Sequence, residues 1–315
     1  MHRIIGFLAF ALCFVCASCV RQRLEPPFTL KQVGTNVWAA IDNPKATKPA
    51  SANAGFVVGD DGVVVIDTFF SEDAATHLLG EIQQRTKLPV KYVVNTHYHI
   101  DHVAGNTVFA KQGATILAQR NVRGWIHSEN LRLISGFLTP ELKAMTESIA
   151  APGIDYDGVT HLHLGARTIQ VRSIQGHTGG DSIVVVPDAK VAFLGDLFWR
   201  NMLPNLIAAS TQTWVETLDA IAAMNEPGFT FVPGHGDVGD VRDVTAFRDY
   251  LTTLRGLVAE ARTRGESGDA LAQSIVPKLK EKFASWDFAE PLAKMNVLQT
   301  NAEMDATKRV PAAID

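Results

Sequence analysis

Apolar and polar positions along the chain fall into two successive blocks of strand-like alternation, each followed by helical spacing. After a polar leader, Arg21 to Pro27, the segment "FTLKQVGTNVWAAID" alternates as a strand pair around Gly34-Thr35-Asn36. In "AGFVVGDDGVVVIDTFF" two β-branched runs, Phe56 to Val58 and Val63 to Ile66, flank Asp60-Asp61-Gly62, which predicts a hairpin closed by Asp67. Ser71 then stands as an N-cap before a helical stripe of Ala75, Leu78, Leu79 and Ile82. A short apolar strand, Tyr92 to Val94, runs into a polar turn. A helix over 103–109 and a strand in "GATILAQ" are expected next, then a helical or irregular stretch over 120–150, broken at Gly136 and Thr139-Pro140.

The second block holds "GARTIQVRSIQ", "DSIVVVPD" and "KVAFLGD", then a helix in "TQTWVETLDAIAAM" and a strand in "FTFVPGHGD". Beyond it Val241, Val244, Phe247, Leu251, Leu254 and Val258 share one helical face. No linker rich in proline, glycine or serine separates the blocks. The expectation is one α/β domain over 28–240 with a helical C-terminal extension over 241–315.

The 315-residue chain is long enough for a large core, and its net charge of -4, without a run of five like charges, disfavours a nucleic-acid partner. Residues 1–19 read as a signal peptide, with a basic start, a short apolar run and small residues before Cys19. The expected location is therefore outside the cytoplasm, in the periplasm. "CASC" also resembles a lipoprotein box, so Cys19 is either a lipid-anchor site or lies near a plain cleavage point. All three cysteines fall in this leader, so cysteine is excluded as a metal ligand of the mature chain.

Chemistry concentrates in "THYHIDH", where His97, His99, Asp101 and His102 crowd one turn. Such nitrogen and oxygen donors suit a borderline ion such as zinc; the alternative is a solvated histidine-rich turn. Three later segments put a donor beside glycine where a strand is expected to end: His177 in "GHTGGD", Asp196 in "LGD" and His235 in "PGHGD". Singly each is as consistent with a surface turn, but four in this order form a ligand constellation.

The order "THYHIDH", "GHT", "GD", "PGH" resembles the metallo-β-lactamase superfamily, and the similarity covers Phe28 to Gly236. The resemblance implies an αββα sandwich of two β-sheets flanked by helices, with two divalent metal ions at one edge. Zinc is the expected metal, with iron or manganese as other candidates. It further implies that His97, His99 and His177 bind the first ion and Asp101, His102 and His235 the second. Asp196 would bridge them and, with Asp101, serve catalysis, while Asp67 would buttress the histidine turn.

The implied activity is hydrolysis of a small-molecule acyl bond by metal-activated water. Zinc β-lactamases generally carry Cys or Ser where this chain has Asp196. The aspartate is more similar to the glyoxalase II, lactonase and arylsulfatase branches, which points to an ester, thioester or lactone. A periplasmic β-lactamase is the alternative, and a non-hydrolytic metal or redox protein on the same fold is a second one.

Other residues carry weaker readings. Phe198, Trp199, Met202 and Leu203 either wall a substrate pocket or pack against helices, and Arg200 is a candidate for a substrate anion. The stretch 120–150 is either a lid or a plain insertion. His77, His127, His161 and His163 read as surface or packing residues, and Lys278, Lys280 and Lys282 as a solvated helix face.

Overall fold

In the computed structural model, which describes residues 25–224 and 228–314, the alternation read from the sequence becomes two facing sheets. The possible anchor Cys19 and the rest of the leader lie outside the described residues. The first sheet holds β1 (Phe28–Gly34), β2 (Val37–Asp42), β3 (Ala54–Val58), β4 (Val63–Ile66), β5 (Val90–Val94), β6 (Thr115–Gln119) and β7 (Ile154–Tyr156), in sequence order. β1 to β4 pair antiparallel, β2 and β3 across the longer connection 43–53, whereas β4 to β7 run parallel. Parallel pairing needs crossovers. These are α1 (Glu72–Arg85), then α2 (Ile100–Val103) with α3 (Asn106–Ala110), then α4 (Arg120–Trp125), α5 (Ser128–Leu133) and α6 (Pro140–Glu147).

The second sheet has the order β12 (Thr230–His235), β11 (Val191–Trp199), β10 (Ser182–Val186), β9 (Arg167–Ser173), β8 (Val159–Leu164). The parallel pair β11 and β12 is joined through α7 (Thr211–Ala223). Helices α8 (Val241–Thr263), α9 (Gly268–Lys282) and α10 (Glu290–Met304) complete that side.

Side-chain direction alternates along a strand, and this sorts the core into three layers. On β4, Val64 and Ile66 enter the space between the sheets while Val63 and Val65 face α1. On β10, Val184 and Val186 face the first sheet while Ile183 and Val185 meet the C-terminal helices. The αββα sandwich expected from the sequence is therefore the architecture present. Ser71 caps α1 by accepting from the Ala74 amide, and Val244, Phe247, Leu251, Leu254 and Val258 of α8 are buried, with Val241 partly so.

Three local expectations need correction. The helix placed over 103–109 is two short helices, α2 and α3, interrupted at Ala104-Gly105. Any Cβ on Gly105 would collide with the Thr68 carbonyl, so close approach of the chain here requires glycine. Strand β7 was not anticipated; it is three residues long and pairs only along the sheet edge. The strand expected to end at Gly195 continues to Trp199, with a register shift at Gly195, whose φ is +52°.

Phe193, 2% exposed between the sheets, is the largest side chain of that layer on β11. Phe193→Ala is expected to lower unfolding stability by about 3–5 kcal/mol in denaturant titration, through a cavity the sheets cannot close.

Candidate metal centre

The seven donors come from four chain segments that the topology brings to one edge of the sandwich. β5 leads through Asn95-Thr96 into His97, His99, Asp101 and His102, the last two on α2. His177 lies between β9 and β10, Asp196 sits on β11 just past its bulge, and His235 closes β12. All seven converge, so each sequence-predicted ligand stands in one cluster. His97, His99, His102, His177 and Asp196 are buried, and Asp101 and His235 are partly exposed.

The cluster divides in two. His97 Nε2 and His177 Nε2 lie 3.1 and 2.9 Å from His99 Nδ1, and 3.7 and 3.2 Å from Asp196 Oδ2. On the other side His102 Nε2 and His235 Nε2 lie 3.0 and 3.3 Å from Asp196 Oδ1, and 3.7 and 3.4 Å from Asp101 Oδ2. A tetrahedral ion with bonds of about 2.0–2.1 Å holds its donors about 3.3 Å apart. Both groups scatter around that edge length.

Hydrogen-bond geometry supports the same reading. His102 Nε2, His235 Nε2 and Asp196 Oδ1 are buried and within ion-pair distance, yet none makes an aligned hydrogen bond. In their deprotonated forms these atoms would turn electron pairs toward the space they share. The residues present therefore fit a metal ion in each group, with Asp196 common to both.

Neighbouring groups fix the imidazoles. Asp67 Oδ2 lies 2.8 Å from His102 Nδ1, and Asp67 also accepts from the Thr96 amide and hydroxyl, each at 2.7 Å. Since the single Thr96 hydroxyl proton goes to Asp67, Thr96 Oγ1 must accept from His97 Nδ1, 3.1 Å away. Both Nε2 atoms are thereby left free to face the cluster. Asp67 holds φ +57°, a left-handed conformation that aspartate tolerates better than most residues. On the far side Trp199 stacks on His235 at 3.9 Å, and a Cβ on Gly234 would collide with Asp196 Oδ1.

Burial and charge split the protonation states. Desolvation lowers His97 well below its ordinary value, His99 to about 4 and His177 to about 3. Desolvation also opposes charge on His102 and His235, but Asp196 and Asp101 outweigh it. His102 rises well above its usual range and His235 to about 9. Although burial works against it, the surrounding imidazoles hold Asp196 well below the usual carboxylate range.

The site opens into a cavity of about 260 Å³. Ile100, Leu133, Ile134, Phe137, Trp199 and Ile207 form its apolar wall beside His99, Asp101 and Asp196, and among the described residues neither lysine nor arginine lines it. Of the residues after Asp196, Trp199 walls the cavity, whereas Phe198 and Leu203 pack in the helical core. Arg200 is a correction, for it pairs with Asp243 at 3.2 Å and does not line the cavity. Part of 120–150 does wall the cavity, through Leu133, Ile134 and Phe137. His161 and His163 are exposed on β8, and Lys280 pairs with Glu290.

Three supporting residues were missed in the sequence. Thr96 directly precedes the histidine motif, so position could have flagged it. Asn53 holds the His235 turn, donating to Pro233 O and Gly236 O at 2.9 and 2.8 Å, with partners some 180 positions away. Asp181 accepts from the Thr178 amide and hydroxyl and so shapes the His177 loop; desolvation raises its carboxyl to about 8.

Comparison with known proteins places this geometry among relatives. The family model described as metallo-beta-lactamase superfamily matches residues 47–243. The metallo-beta-lactamase type 2 of Bacillus cereus is 24% identical over 217 residues, 67% of this chain and 78% of that protein. A hydroxyacylglutathione hydrolase of Brucella ovis is 26% identical over 183 residues, 57% of this chain and 60% of that enzyme. The metallo-beta-lactamase from Pontibacter korlensis has the same fold, with a TM-score of 0.57 at 21% identity over 71% of this chain and 99% of its own.

Two expectations test the site. Asp67→Ala frees His102 to rotate and is expected to weaken metal affinity about 10–100-fold in chelator competition. In metal-stripped protein, folding stability should peak at about pH 6, a little below the free histidine value, because Asp181, raised to about 8, also loses stabilisation as pH rises. Below it, unfolded chains bind protons that His99 and His177, at about 4 and 3, refuse; above it, the stabilisation from His235 is lost as pH rises through about 9. Thermal midpoints between pH 4 and 10 check both arms.

Proposed function

Because the chain belongs to the metallo-beta-lactamase superfamily and is a hydrolase of that group, we propose that it is an exported dinuclear metallohydrolase. In this reading it cleaves an ester, thioester, lactone or related acyl bond. The observation that carries the proposal is the division of Asp196, one oxygen facing each group of imidazoles. His97, His99 and His177 hold one ion, Asp101, His102 and His235 hold the other, and Asp196 joins them. Zinc suits this thiol-free, nitrogen-rich set best, with iron or manganese as the other ions compatible with it. Export rests on the leader and its Cys19, which we propose as the anchor point.

Bound there, the ions supply a water of lowered pKa as nucleophile and polarise the scissile carbonyl. The chain's own residues do the rest. The neutral imidazoles of His97, His99 and His177 leave the positive charge of their ion undiminished. Asp101, which borders the cavity, accepts the proton of the attacking water at its carboxylate and passes it to the leaving group. The apolar wall from Ile100 to Ile207 seats the acyl substituent and excludes bulk water.

A β-lactamase is the second reading, favoured by the Bacillus relative. Against it stands the lack of a lysine or arginine among the described lining residues, since β-lactams and hydroxyacylglutathione both carry carboxylates and the ionisable side chains there besides His99 are the acidic Asp101 and Asp196.

The decisive experiment compares a neutral aryl ester, a γ-lactone, an acylglutathione and a chromogenic cephalosporin with protein beginning after Cys19. Two zinc ions per chain are expected, with the neutral substrates preferred by about tenfold or more. Asp101→Ala should remove about 10²–10⁴-fold of the rate. A cephalosporin turned over best, and lost in Asp101→Ala, would establish the second reading. Metal-replete, folded protein that hydrolyses none of the four refutes the proposal.

A further inference from the structure

Building on the hydrolase reading, we infer that the segment after α10, residues 305–314, is a clasp that fixes the spacing of the cavity walls. Through that spacing it governs which acyl groups enter. Lys308 and Arg309 are its positioning residues. The observation is that two adjacent side chains reach opposite walls. Lys308 Nζ donates to Leu206 O at 2.6 Å and to Ala209 O, so it grips the loop that carries Asn205 and Ile207. Arg309 forms a two-pronged pair with Glu129, Nη2 to Oε1 at 2.6 Å and Nη1 to Oε2 at 2.8 Å. Glu129 lies on α5, the helix that bears Asn130 and Leu133 and leads to Ile134 and Phe137.

The helix that precedes this wall, α4, is fastened to the same segment twice. Trp125 Nε1 donates to Ala312 O at 2.9 Å, and the Ile314 amide donates to Asn121 Oδ1 at 2.8 Å. Helices α4 and α5 have six residues each, too few to be stable by their own hydrogen bonds, so their position is set by such contacts. Glu129 is 7% exposed and takes Arg132 as well as Arg309, and planar paired bonds of this kind are the strong, directional end of ion pairing.

The wall also touches the metal centre. Asn130 donates to Tyr98 O at 2.7 Å, Trp125 meets Tyr98 edge-on at 5.6 Å, and Tyr98 packs on His99. The clasp lies beyond residue 243, where the family match ends.

The test uses the full mature, zinc-loaded protein with Arg309→Met, Lys308→Met and the conservative Arg309→Lys. In Arg309→Met, amide hydrogen exchange over 126–138 should accelerate by roughly tenfold as local opening becomes easier. KM for an octanoyl aryl ester should rise roughly fivefold while the acetyl ester changes less than about twofold. Zinc content stays constant. Lys308→Met should do the same for exchange over 204–209, and Arg309→Lys, which keeps the charge facing Glu129, should recover part of the Arg309→Met defect.

Unchanged exchange overturns the clasp, as does an equal loss on both esters, which would mark a merely structural role. If the wild-type protein hydrolyses neither ester, the hydrolase reading is what fails, and the exchange comparison alone decides the clasp.

Discussion

The Asp196 carboxylate, buried between two sets of imidazoles, is the contact on which the rest of the molecule depends. Seven titratable side chains gathered in one place are costly, because burial disfavours charge and like charges repel. A single carboxylate with an oxygen turned to each set makes the gathering tolerable. That position demands a bulge at Gly195 to aim the side chain and a missing Cβ at Gly234 to admit it. It also explains why β11 lies next to β12, for the bulged strand then delivers Asp196 beside His235.

Rigidity is distributed unevenly around this contact. Donors are held at strand ends and by fixed partners: Asp67 and Thr96 for His102 and His97, Asn53 for the turn of His235, Asp181 for the loop of His177. The cavity wall is instead made of six-residue helices and a loop, fastened from outside by the C-terminal segment. Metal-binding geometry is thus built into the sandwich, while substrate fit is delegated to elements whose position depends on long-range contacts. Such a division lets the wall vary without disturbing the donors.

The sequence revealed the parts in which local pattern and final environment agree. The hairpin of β3 and β4, the stripe of α8 and the dense histidine turn each carry their own signal, of period 2, of period 3.6, or of unusual composition. Where the signal was hidden, a distant partner did the deciding. Gly105 divides a continuous helical pattern because Thr68 presses against it, and β7 exists because β6 offers an edge. Asn53 looks like any loop asparagine until the turn of His235 arrives 180 positions later. Trp199 and Phe198 are neighbours of the same character, yet the pleat sends one to the cavity and the other to the core.

The charge distribution around Asp196 carries a final consequence for how the fold and its ions are linked. Without a cation, Asp67, Asp101 and Asp196 draw protons onto His102 and His235, while His97, His99 and His177 remain neutral. Protons therefore occupy one side of the cluster as stand-ins for positive charge, and the other side is already in its ligand form. A cation in the first group would displace no proton at neutral pH, whereas one in the second would have to displace those on His102 and His235. The two groups share Asp196 but not a protonation state, so any proton release that accompanies cation binding would come from the side of Asp101, His102 and His235.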